Sequence, residues 1–207
     1  MREMISISKS SSNFFDQLVS FIISAASLAP AIELQNDRNA SKWLPNQSLI
    51  LEPGKIFKGF QLRIYPSQIL GLVSKNIWPL QIEIIKESLV QFAGSDPTSI
   101  NCLQKVHGTL IESSFSQYYE NYKLDIEKIF GKEFNNWPSE WNFARIVRNA
   151  FSHGGKINID NPKANKVTWK NFEYDFHSNG TTLLYNDLTA VELIFLMIEM
   201  DNYLIKN

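Results

Sequence analysis

The chain has 207 residues, of which 44% are hydrophobic and 20% charged, with nine glycines and eight prolines. This mixture excludes a disordered, collagenous or low-complexity chain, and the length suits one domain around one core. Twenty basic residues stand against 21 acidic ones, a net charge of -1, so nothing in the overall balance draws the chain to nucleic acid or anionic membrane and any such contact must be local.

The first apolar pattern, Phe14, Phe15, Leu18, Val19, Ile22 and Ile23, follows a Ser-rich start at 6–12 that reads as frayed. Its three- and four-residue spacing predicts a helix ending near Pro30. Residues 18–29 also have the look of a secretory apolar region, but Asp16 and Gln17 abut them and the run is shorter than the roughly 20 residues that span a bilayer. A buried first helix and no membrane partner are expected. Residues 31–66, broken by Pro45, Pro53 and Gly54, read as an irregular or hairpin insertion.

Ile69, Leu70, Val73 and Ile77 then form a helical stripe up to Pro79, and Leu80, Ile84, Ile85, Leu89 and Phe92 a second one. Gly94 closes a turn, Asp96 can cap, and Pro97 suits the first position of a long helix over 97–130. A fourth helix starts around Pro138 and stops at Gly154-Gly155. Residues 156–186 alternate, with Asn179-Gly180 as a tight turn, and predict a small antiparallel β-hairpin sheet. Asp187 caps a last helix so apolar that it must be central or half of a dimer face. The expected class is mainly α: a helical bundle with a β-hairpin sheet between its last two helices.

Cys102 is the lone cysteine, and the histidines are His107, His153 and His177. No intramolecular disulfide or zinc spacing results, and a reducing cytoplasm fits best. No Gly-rich phosphate loop, nucleophile elbow or carboxylate pair appears, so neither metal nor cofactor is expected. His107 lies among apolar helix positions as a core residue, and His177 flanks a turn.

The fourth helix carries the chemistry. At about 100° per residue, Phe143, Ile146, Val147, Ala150 and Phe151 share an apolar arc, while Arg145, Arg148, Asn149, Ser152 and His153 lie opposite. Asn149 and His153 are nearly eclipsed and within hydrogen-bonding reach; Arg148 and His153 stand about 140° apart. The plain alternative is an amphipathic helix with a polar face and a histidine favoured by the C-terminal dipole. The string Ile146-Val147-Arg148-Asn149-Ala150-Phe151-Ser152-His153-Gly154, however, resembles the motif of the HEPN superfamily, an arginine, a polar residue and a histidine five positions after the arginine.

The resemblance implies a single HEPN-like domain over 1–207 and a metal-independent endoribonuclease whose cleft is built from two copies of the motif, hence a homodimer. Arg148, Asn149 and His153 would be catalytic, with Arg145, Ser152 and Lys156 contacting RNA. The chemistry suits RNA, whose 2′-OH is a built-in nucleophile: the imidazole manages protons near neutral pH and the guanidinium holds phosphate charge. A toxin or antiphage role, and a protein antitoxin, also follow from the resemblance. Gly155 occupies the position where some HEPN toxins carry a tyrosine that a partner modifies, so that form of control is not expected. Lys156, Lys163, Lys166 and Lys170 form either a phosphate-guiding patch or edge-strand lysines that block aggregation. The rival reading is a non-catalytic RNA- or nucleotide-binding or oligomerisation module.

Overall fold

A computed structural model describes residues 2–36, 43–54, 57, 59–88 and 102–204 of the chain. The Ser-rich start is not frayed: in β1 (Arg2–Ser8) Ile5 and Ile7 alternate with Ser6 and Ser8, the two-residue period of a strand. α1 (Phe15–Asn36) buries Leu18, Val19, Phe21, Ile22, Ala25 and Ala26, as its stripe predicts. It also runs past Pro30. A proline has no N–H, so the carbonyl of Ala26 four residues earlier loses its helical donor; the indole N–H of Trp43 takes its place at 2.6 Å. Among the described residues no helix is long and apolar enough to cross a membrane.

The main correction concerns the sheet. The insertion supplies β2 (Leu49–Leu51) and β3 (Phe60–Ile64), which pair antiparallel, and α2 (Pro66–Val73) follows, the helix expected before Pro79. The second helical stripe is instead a strand, β4 (Gln81–Ser88), in a four-stranded antiparallel sheet ordered β1-β4-β3-β2. Its sequence satisfies two periods at once. Ile84 and Ile85 fit a helix with Leu80, while Ile82 and Ile84 fit a strand against Gln81 and Glu83. Pairing with β1, far away in sequence, decides: Ile5 lies opposite Ile84 and Ile7 opposite Ile82, whereas Leu80 is left 73% exposed. Leu89, Phe92, Gly94, Asp96 and Pro97 lie outside the described residues. The protein is therefore mixed α/β, with five helices among the described residues, and not a mainly helical bundle.

One face of the sheet sends Ile7, Leu62, Ile64, Ile82 and Ile84 into the core that Phe14, Leu18 and Ile22 share. On the other face Arg63 Nε donates to Glu87 at 2.7 Å and Gln61 Nε2 donates to the same carboxylate at 2.9 Å. These bonds, Arg63 first, hold the Glu87 carboxyl below its ordinary value.

α3 (Cys102–Phe130) buries Ile111, Phe115, Tyr118, Tyr119 and Ile126. α4 (Ser139–Ser152) matches its expected bounds and buries Trp141, Phe143, Ile146, Val147 and Ala150. The expected hairpin region forms only β5 (Val167–Trp169) and β6 (Phe172–Tyr174). Its turn is at Lys170, φ 52°, and not at Asn179-Gly180, where Gly180 alone has a positive φ. Residues 156–160 and 181–185 are joined to each other by one isolated antiparallel bridge, Lys156 to Thr182, and Leu184 bridges instead to Leu188. Phe143 of α4 stacks on Tyr174 at 5.3 Å and meets Trp169 at 5.4 Å, fastening the hairpin to the helix.

α5 (Ala190–Asp201) is capped by Thr189 and Glu192 in a capping box and not by Asp187, which accepts the Tyr174 hydroxyl at 3.1 Å. Its Val191, Leu193, Ile194, Leu196, Met197 and Met200 are all buried, so of the two readings of this helix the central one holds.

Two measurements check this account. Ile84→Ala is expected to lower unfolding free energy by about 2–4 kcal/mol and Glu83→Ala by less than about 0.5 kcal/mol in urea titrations, the contrast of a strand with one buried face. Because the folded Glu87 carboxyl titrates below the unfolded one, its contribution is full above the ordinary carboxylate pKa and is lost as pH falls through the folded value. The stability gap between wild type and Glu87→Gln should therefore shrink between about pH 6 and pH 3.

Candidate functional site

The polar arc of α4 is offered to solvent by the same helix wheel that buries its opposite side, but α3 divides it. Packing of α3 against α4 leaves an open cleft of about 210 Å³ lined by Arg145, Arg148 and Asn149 from α4 and by Tyr119, Glu120 and Lys123 from α3, with Phe134 at one side. Arg148 Nε pairs with the Glu120 carboxylate, both side chains being partly exposed. Arg145 Nε donates to Asn142 Oδ1 at 3.2 Å, and its guanidinium lies 4.5 Å from the centre of the Phe134 ring. Burial lowers the Arg145 pKa and raises that of the Tyr119 hydroxyl. Among the described residues no acid forms an ion pair with Arg145, whereas Lys123 lies 3.8 Å from Glu127.

His153 does not line this cleft. It caps the C-terminus of α4, its N–H donating to the Ala150 carbonyl at 2.9 Å, and its side chain is exposed. The chain then reverses through Gly154 at φ 67° and Gly155 at φ 78°, left-handed conformations that a Cβ would strain. The Gly155 N–H returns to Ala150 at 2.9 Å, closing the helix end as the di-glycine predicts.

Asn149 and His153 do not bond to each other, as their eclipsed spacing allowed; both meet Asn158. Asn149 Nδ2 donates to the Asn158 carbonyl at 2.8 Å, and the Asn158 amide nitrogen lies 3.4 Å from His153 Nε2. Asn179 secures the same segment from the other side: its Oδ1 accepts the Ile159 N–H at 2.6 Å and its Nδ2 donates to the Ile159 carbonyl at 2.9 Å. The Asn149 side chain is thus a clamp on the returning loop.

Of the remaining expected contacts, Ser152 is exposed and its hydroxyl donates to the Arg148 carbonyl at 3.3 Å, a bond within the helix. Lys156 is exposed beyond the glycines and does not line the cleft. Two of the four lysines of the patch are already engaged, Lys166 with Glu173 at 2.8 Å and Lys170 with Glu199 at 2.6 Å. His107 bonds the backbone of Ala25, and its buried Nε2 has no partner among the described residues. Among the described residues no three His, Cys, Asp or Glu side chains converge as metal ligands.

Sequence reading missed Glu120, Lys123, Phe134 and Asn158. The first three come from segments whose register against α4 no local pattern encodes, and Asn158 looks like any loop asparagine until Asn149 is seen to bind it.

No family model, curated protein or solved structure matches the chain.

The clamp is testable by itself. Asn149→Ala leaves the Asn158 carbonyl without its donor and is expected to cost about 1–3 kcal/mol by urea denaturation. Asn149→Asp, which keeps the shape but replaces the donor by an acceptor, should not recover the loss.

Proposed function

We propose that the protein is a metal-independent endoribonuclease of HEPN type that works as a homodimer in the cytoplasm. The observation that supports this best is the cationic cleft beside the motif, which Arg145, Arg148 and Lys123 line together with one partly exposed carboxylate, Glu120, the partner of Arg148. A chain of nearly neutral net charge that concentrates three cations in one recess has a place for a phosphate.

The reaction needs no external nucleophile. The 2′-oxygen of a ribose attacks the adjacent phosphorus while the 2′-proton passes to a base; the P–O5′ bond breaks, and the leaving 5′-oxygen takes up a proton. The products are a 2′,3′-cyclic phosphate and a 5′-hydroxyl. His153 manages the protons, because an imidazole accepts a proton at a free ring nitrogen and the resulting imidazolium gives one up. Arg148 holds the non-bridging oxygens as charge builds on them, its fork of donors matching their geometry. Asn149 acts through Asn158 by holding the segment against which the imidazole lies.

Within one chain the imidazole stands outside the cleft that holds the guanidinium. The reading therefore requires a second copy to bring its His153 over the first copy's Arg148. The same observation favours one rival, a non-catalytic module that retains RNA in the cleft. A toxin or antiphage setting with a protein antitoxin belongs to the nuclease reading and rests on the resemblance of the motif alone.

The test is cleavage of labelled RNA in the presence of a chelator. Wild type should yield cyclic-phosphate and 5′-hydroxyl ends, and Arg148→Ala and His153→Ala should each lose at least about a hundredfold in rate. Mixing the two inactive variants should restore activity, since a mixed dimer rebuilds one complete site. Cleavage that survives His153→Ala, or that needs added divalent metal, refutes the nuclease reading; RNA retained but never cut establishes the rival.

A further inference from the structure

Arg145 is half-buried, stacked on an aromatic ring, and has no acidic partner among the described residues. A desolvated cation without a counter-charge is costly, and such an arrangement is favourable when an anion arrives to complete it. Arg148 already holds a carboxylate: Glu120 sits on its guanidinium as a phosphate oxygen would. An ion pair this exposed holds weakly, so an incoming phosphate displaces the carboxylate at little cost. Phe134 opens the 3₁₀ turn Phe134–Asn136, remains 41% exposed, and is braced edge-on by Trp137 at 5.1 Å. An aromatic ring fixed by a neighbour and left in solvent beside two guanidinium groups has the make-up of a base-stacking platform.

We infer that the α3–α4 cleft is a subsite for single-stranded RNA, in which Phe134 and Arg145 take the base and phosphate of a nucleotide flanking the one held by Arg148, and Glu120 covers Arg148 until RNA replaces it. The choice of RNA over another phosphodiester rests on the nuclease reading; the stacking and the phosphate contact do not. None of Phe134, Glu120 and Lys123 belongs to the motif, and the subsite needs no residue from a second copy.

The experiment measures binding of a fluorescein-labelled oligouridine by anisotropy, with His153→Ala as the parent so that the RNA stays whole. Phe134→Ala and Arg145→Gln should each weaken binding about tenfold, and Phe134→Tyr should retain it. Arg145→Gln should also flatten the dependence of log affinity on log salt by about 0.7, the signature of one lost phosphate contact on a single strand, which a merely structural change does not produce. Glu120→Gln should tighten binding about threefold to fivefold. Should Arg145→Gln fail to fold, exposed Phe134 carries the test. Absence of RNA binding by the parent, or wild-type affinity and salt slope in the Phe134 and Arg145 variants, overturns the subsite. RNA cut by wild type at a rate and affinity indifferent to Phe134→Ala overturns it too while sparing the nuclease; RNA bound through Phe134 but never cut does the reverse.

Discussion

The carboxylate of Asp201, at the end of α5, is the tie on which the helical layer depends. It is 3% exposed, accepts the backbone N–H of Asn13 through both oxygens at 3.2 and 3.3 Å, and accepts the Tyr118 hydroxyl at 3.1 Å. One buried group thereby joins the approach to α1, the middle of α3 and the end of α5. One residue earlier, the carbonyl of Met200 receives the indole N–H of buried Trp141 from α4 at 2.9 Å. Two adjacent residues of α5 thus fix α3 and α4 relative to each other. A buried carboxylate is tolerated only when its lone pairs are answered, so the helices cannot slide without leaving charge unsatisfied.

The cleft follows from that tie. Tyr118 faces inward to Asp201, so its neighbours Tyr119, Glu120 and, one turn on, Lys123 line the rim that meets α4. Arg145 and Arg148 follow Trp141 by one and two turns on the same side of α4 and, beyond the indole anchored on Met200, form the other rim. A shift of one residue in either helix would turn these side chains away and bring apolar ones to the surface. The recess is therefore set by core packing, and its four charged groups carry the consequences: two arginines and a lysine against one glutamate that is easy to displace.

Much of α4 was legible beforehand because its information is local. A hydrophobic arc, a proline at the start and two glycines at the end are written within a few residues of where they act, and Gly154 and Gly155 do adopt the positive φ that ends the helix. The strands were not legible for the opposite reason. Arg2–Ser8 and Gln81–Ser88 are short and individually ambiguous, and each becomes a strand only when the other supplies its hydrogen bonds. The hairpin turn was misplaced because Lys170, an unusual residue at φ 52°, takes the bend that Asn179-Gly180 advertises, with the Lys170 amine paired to Glu199 and Asn179 occupied by Ile159.

The amino-acid sequence by itself determined the helices whose apolar spacing is unbroken, the stop at the di-glycine, and which face of α4 stays wet, since these depend on periodicity and backbone sterics within a few turns. Only the tertiary structure decided that four strands form one sheet, that Glu120 answers Arg148, that Phe134 lies against Arg145, and that Asn158 stands between Asn149 and His153. Each of those contacts joins segments separated along the chain, and their meeting is set by how buried side chains pack, a quantity that no local pattern carries.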